Sequence, residues 1–170
     1  MSRRHRAYGT LSATLASALL VASCSAADPA RAAREDIYPH WKKGAGATEA
    51  AAFMKVEVPK GAADVKGAVQ VNPQEDIYLL TFRTDRTTAI RLAEDLAPEE
   101  PLERWKVRPT PSSEHFRHFG LPEPETVPDA LHAGVCPPCV EDHRRREVSW
   151  IEIHLGDVEA VRTRVYLRAY

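Results

Sequence analysis

A long apolar run, a surplus of one charge and a cysteine framework are all missing from this chain. The apolar stretch Leu11–Ala22 has 12 residues, well short of the roughly 20 that a membrane-spanning helix needs. Lysine and arginine total 23 against 24 aspartates and glutamates, so the chain lacks the cationic surplus with which a protein coats nucleic acid. Three cysteines in 170 residues do not make a stapled framework, and a chain of this length buries a core without one. The signatures G-x-x-x-x-G-K-[ST], G-x-G-x-x-G, G-x-S-x-G and H-E-x-x-H are absent, and no spacing of Ser, His and Asp singles out a triad. No internal repeat is visible. At 28% charged and 44% hydrophobic, the chain as a whole is a folding sequence and not a disordered one. Its length fits one domain.

What is present begins with an address. Arg3, Arg4, His5 and Arg6 precede the apolar stretch, which ends in Val21-Ala22-Ser23-Cys24: an aliphatic residue, two small ones, then cysteine. This resembles the lipobox of bacterial lipoproteins. The resemblance implies a signal peptide over residues 1–23, cleavage after Ser23, and a diacylglyceryl thioether on Cys24. The bland alternative is an ordinary signal peptide in which Cys24 is incidental. Buried acyl chains hold a soluble domain on a bilayer through about 0.8 kcal/mol per methylene. The implied location is the extracytoplasmic face of the cell membrane. The implied partner is the membrane itself, reached through the anchor, with no cofactor beyond the covalent lipid and no nucleic acid.

Residues 24–36, rich in Ala and Arg with one Pro, read as a flexible tether, and residues 37–170 as one extracytoplasmic domain. Thr48 caps a short helix to Met54 in this reading. Val65–Val71 and Asp76–Thr84 read as strands, the second apolar on both faces as a central strand is. Asp85 caps the main helix, which carries a broad stripe through Ala89, Ile90, Leu92, Ala93, Leu96 and Ala97 before Pro98 stops it. From Pro98 to Pro138 stand nine of the thirteen prolines, which argues for an irregular segment and against a sheet. One short helix is expected there, capped by Ser112 or Ser113, with Phe116 and Phe119 on one face and Gly120 at its end. Alternation then returns. Ile151, Ile153 and Leu155 face one way, with Val161, Thr163, Val165 and Leu167. The parity of opposed residues predicts a hairpin with an odd loop around Gly156-Asp157, which pairs Glu152 with Arg162 or Arg164. The fold class is α+β: an antiparallel sheet of about four strands, one main helix, a C-terminal β-hairpin and a proline-rich irregular middle.

Five features bear on chemistry. Cys136-Pro137-Pro138-Cys139 admits three readings: a structural disulfide, an exchange-active pair, or metal ligands. His132, Cys136, Cys139 and His143 have the H-x3-C-x2-C-x3-H spacing of a tetrahedral zinc site, against the bland reading of two solvated histidines. His115 and His118, at i and i+3, are either a second ligand face or an exposed helix surface. Arg144-Arg145-Arg146 would meet lipid headgroups or an anionic envelope polymer, or form a solvated loop offset by Glu141, Asp142 and Glu147. The hairpin's outward face, with Trp150, Glu152, His154, Arg162, Arg164, Tyr166 and Arg168, has the Arg and aromatic content of a recognition surface. The tether or the proline-rich segment is its other possible cover.

Beyond the lipobox, Val58-Pro59, Ala63-Asp64-Val65 and Asp76-Ile77-Tyr78-Leu79-Leu80 carry a second likeness, with the Cys136–Cys139 segment before Trp150-Ile151-Glu152-Ile153. These stretches look like small, uncharacterised lipoproteins of high-GC Gram-positive bacteria. The resemblance brings no activity and no catalytic residue. Two functions stay in view: a non-enzymatic module that binds an envelope protein or ligand, and a thiol-disulfide or metal-handling protein centred on Cys136 and Cys139.

Overall fold

Asp85 starts the best-defined unit of the chain. In the computed structural model, which describes residues 38–108, 110–159 and 161–170, its carboxylate accepts the Thr88 backbone N–H at 2.9 Å. That bond holds the Asp85 carboxyl below the usual carboxylate range and fixes the start of the main helix. The helix runs Arg86–Asp95, and Ala89, Ala93 and the following Leu96 are fully buried. Small residues at the contact let the helix axis lie close to the sheet. The signal peptide, Cys24 and the tether fall outside the described residues.

In chain order the elements are β1 (His40–Trp41), α1 (Ala47–Met54), β2 (Ala63–Val71), β3 (Ile77–Thr84), α2 (Arg86–Asp95), β4 (Glu103–Arg104), β5 (Leu131–Val135), β6 (Ile151–Glu159) and β7 (Arg162–Ala169). Short 3-10 turns at Phe116–Phe119, Pro124–Thr126 and His143–Arg145 interrupt the rest. All strands join one antiparallel sheet in the order β1-β2-β3-β7-β6-β5-β4. The α+β class holds, but the sheet has seven strands where about four were expected. The four expected ones form its centre. Strand β5 comes from a proline-free window, Asp129–Cys136, inside the segment expected to lack a sheet. Its sequence, Leu-His-Ala-Gly-Val, has no alternation to announce it, and pairing with the edge of β6 makes it a strand.

One face of the sheet carries the hydrophobic core. Leu80 and Phe82 of β3 pair with Leu167 and Val165 of β7, which pair in turn with Ile153 and Leu155 of β6. These residues pack with Ala50 and Met54 of α1 and with Ala89 and Ala93 of α2. Each fully buried Leu, Ile or Phe contributes about 1.5–3 kcal/mol. Helix α1 begins at Gly46, whose N-cap position has no side-chain bond, so Thr48 is not the cap expected of it. Packing sets the start instead: a Cβ on Gly67 of β2 would lie 2.4 Å from the Ala47 Cα.

The hairpin keeps the expected side-chain parity but turns later, and its register shift leaves two residues between the strands where an odd loop was expected. Glu152 opposes Arg168 and Asp157 opposes Thr163, with a one-residue shift before Glu159 meets Arg162. The turn therefore comes after Glu159, and Gly156 and Asp157 lie inside β6. Gly156 is there for room: a Cβ on it would come within 2.9 Å of the Val127 side chain. Asp157 holds the strand pair together by accepting from Thr163 Oγ1 at 2.9 Å and from Arg86 at 2.5 Å. At Phe116–Phe119 a 3-10 turn replaces the expected helix, with His115 and neither serine at its N-cap. Eclipsing of i and i+3 still puts both rings on one side, and Gly120 ends the turn at φ 71°.

Candidate functional site

The second face of the sheet is polar, and the proline-rich segment roofs it. Across this face runs the register row Thr81, Tyr166, His154, His132 and Glu103. Beside it, Arg168 donates to Glu152 through Nε at 2.9 Å and again through Nη2. From the roof come Ser113, which accepts from Arg168 at 2.5 Å, and Glu125, which accepts at 3.3 Å. Ser112 donates to the same Glu125 carboxylate at 2.9 Å. Phe116 sits edge-on to Tyr166 with ring centroids 5.1 Å apart. Arg164 pairs with Asp64 at 2.6 Å, and that hydrogen bond holds the Asp64 carboxyl below its ordinary range.

This arrangement removes the expected recognition surface from solvent. His154, Arg164, Tyr166 and Arg168 are buried and Glu152 is half-buried. Trp150 is 39% exposed, lies against the bare backbone of Gly134 and, with the exposed Arg162, stays at the surface. Charged groups are desolvated only with partners: Arg168 has Glu152 of the sheet and Glu125 of the roof, and Arg164 has Asp64 of β2. Hence an alternation that reads as a solvated face forms a closed polar layer. The rings of Trp105, His132 and His154 cluster within it, with centroids 4.5–5.4 Å apart. Burial, with help from His132 and Arg168, pushes His154 down to about 3. Burial also lowers His132.

The four residues with zinc spacing do not converge. His132 belongs to the Trp105–His154 cluster, and His143 is exposed on a 3-10 turn. Cys136 and Cys139 are disulfide-bonded with their Cα atoms 5.2 Å apart. His115 faces Arg168 and His118 stacks on Trp41, so they share no ligand face. Beside the sulfurs the structure instead places Glu99, which sequence spacing did not suggest. The pair occupies a turn after β5, closed by Cys139 N–H and Val140 N–H donating to the Cys136 carbonyl at 2.9 and 3.2 Å. No α-helix starts at Cys136. Cys136 is half-buried and Cys139 exposed.

The arginine run divides into separate roles. Arg145 is fully buried, and its guanidinium reaches the ends of both helices. Nε donates to the Met54 carbonyl at 2.9 Å, Nη2 to the Lys55 carbonyl at 3.2 Å, and Nη1 to the Asp95 carbonyl at 3.3 Å. Asp142 accepts from it at 2.5 Å and the Asp95 carboxylate at 3.0 Å. A cation at two helix C-termini faces the negative ends of both dipoles. Arg145 thus bolts the helices together and is unavailable to a lipid headgroup or polymer. Arg144 is exposed and shared between Asp95 and Asp142. Two adjoining clefts, about 290 and 390 Å³, lie over this end of the helices and share Lys55 and Arg144. Arg146 lines the first and Arg91 the second. Among the described residues, Lys55, Arg91 and Arg146 have no carboxylate partner.

No family model, curated protein or solved structure matches this chain. Three cations without a carboxylate partner around one groove can attract a carboxylate or phosphate, while Glu57, Asp95 and Glu147 in the same lining limit the net field.

Proposed function

We propose that the chain is exported, cut before Cys24 and held on the extracytoplasmic face of the membrane by a diacylglycerol thioether. Its domain acts there as a non-enzymatic binding module. Val21-Ala22-Ser23-Cys24 at the end of the apolar stretch carries the anchor part of this reading. The contact surface is the groove around Lys55, Arg91 and Arg146, and its ligand is an anionic envelope component. Supporting this is the placement of these cations at a concave surface, whereas Arg164 and Arg168 of the hairpin are occupied by Asp64 and Glu152. Metabolic labelling with a fatty-acid analogue tests the anchor: label is expected on the wild-type chain and none on Cys24→Ser. An uncut leader, or an unlabelled Cys24, overturns it. Retention on the insoluble envelope fraction tests the groove. Lys55→Glu with Arg146→Glu is expected to lower it by about tenfold or more; unchanged retention refutes that assignment.

Thiol-disulfide exchange is the second reading, and the exposure of Cys139 favours it. The pair lacks the helix start that stabilises a thiolate in exchange-active C-x-x-C proteins. A reduction potential below about −300 mV marks a structural bond and ends this reading.

A further inference from the structure

The disulfide has an acidic neighbour that the fold itself delivers. Strand β4 pairs with β5 so that Glu103 opposes His132 and Arg104 opposes Leu131. Continued back along β4, the same antiparallel register sets Glu99 opposite Cys136. Pro98 and Pro101 offer no N–H to a ladder, so pairing stops while the chain still runs alongside β5. One Glu99 carboxylate oxygen and the two sulfurs lie within 4.8 Å of one another. Among the described residues, no hydrogen bond or ion pair engages that carboxylate. Proline stiffens both sides of the cluster, at Pro98 and Pro101 and at Pro137 and Pro138.

We propose that Glu99, Cys136 and Cys139 form a binding site for a thiophilic divalent cation such as Zn2+, closed while the disulfide stands and opened by its reduction. A dithiol reductant delivers two electrons and two protons, so Cys136 and Cys139 become thiols and the reductant becomes a disulfide. Zn2+ then displaces both thiol protons and takes two thiolates and one Glu99 oxygen, with water as the fourth ligand. The C-x2-C spacing is that of ordinary zinc ligands. Zn–S bonds near 2.3 Å and Zn–O bonds near 2.1 Å set tetrahedral ligand atoms about 3.5–3.8 Å apart. The cluster spans that distance with a side-chain rotation at the cysteines. His132 and His143 take no part. The site is independent of the lipid anchor and of the cationic groove.

The test uses the full-length chain carrying Cys24→Ser, which removes the third thiol. It is reduced with a phosphine, which leaves no competing dithiol, and titrated with Co2+ as an optical probe and then with Zn2+. The expected result is one cation per chain, with thiolate-to-cobalt absorption, in the reduced form alone. Glu99→Gln, at an exposed position, should weaken Zn2+ binding by about tenfold or more, whereas Glu100→Gln should leave it unchanged. The proposal is overturned if reduced protein shows no thiolate-to-cobalt band, if the oxidised protein binds as tightly, or if Glu99→Gln binds as the parent does.

Discussion

Arg145→Met tests whether one buried guanidinium joins the two helices to the rest of the domain. The Arg145 side chain is fully buried, and Asp142, its nearest carboxylate, is only 10% exposed. Methionine replaces the apolar stem but ends short of the guanidinium position, so it leaves the Asp142 carboxylate without its 2.5 Å partner. It also frees the carbonyls of Met54, Lys55 and Asp95. Removing one member of a buried pair costs about 3–5 kcal/mol, and each buried acceptor left unpaired about 1–3 kcal/mol. Water entering beside Asp95, which is 59% exposed, recovers part of the second cost. The net expectation is about 3–5 kcal/mol, or a fall in melting temperature of roughly 10–20 °C for a domain of this size. Arg145→Lys keeps the charge but not the planar fork, and is expected to fall between the two. Asp95→Asn removes a carboxylate that is itself mostly exposed and should cost about 1 kcal/mol or less. Urea unfolding measures all three. A stability of Arg145→Met within about 1 kcal/mol of wild type would refute the bolt.

Acid sensitivity follows from the closed polar layer. His154 titrates near 3 in the fold against 6.5 as the ordinary value, so between those values the unfolded chain holds the extra proton. Stability from this group is therefore full above about pH 6.5 and declines by about 1.4 kcal/mol per pH unit as pH falls toward 3. His132 and His115, both lowered chiefly by burial, act in the same direction; Glu123, raised by burial, acts against them. Urea unfolding at pH 7, 6 and 5 should show a shallower pH slope for His154→Phe, and an unchanged slope contradicts the assignment. Phe116→Ala removes the ring that anchors the roof against Tyr166. It is expected to cost about 3–5 kcal/mol and to speed trypsin cleavage at the exposed Lys106 and Arg117. If cleavage at those sites keeps its wild-type rate, the roof is not held by Phe116.

Local rules were legible where one residue type has one job. Asp85 as a cap, the apolar run Ile77–Phe82 as a central strand and Gly120 as a left-handed stop each follow from backbone chemistry acting over a few residues. The hairpin's parity was legible for the same reason, because side chains alternate with period two. Its turn was not: Gly156-Asp157 has the composition of a turn, yet the glycine serves a contact with Val127 far away in sequence. Strand β5 was hidden because nothing in Leu131–Val135 prefers a strand until the β6 edge offers hydrogen bonds. Glu99 was missed because sequence spacing from Cys136 carries no information about a neighbour set by the register of β4.

Alone, the order of residues determined the α+β class, the central strands and main helix with its cap, and the N-terminal pattern on which the anchor reading depends. Those follow from periodicity and from contacts within a turn or two. Tertiary structure alone decided which charges are solvated: it closed Arg168, His154 and Arg164 under the proline-rich roof, buried Arg145 between two helix ends, and left Lys55, Arg91 and Arg146 around a groove. Desolvation and pairing depend on partners that lie far apart along the chain, so no local pattern encodes them.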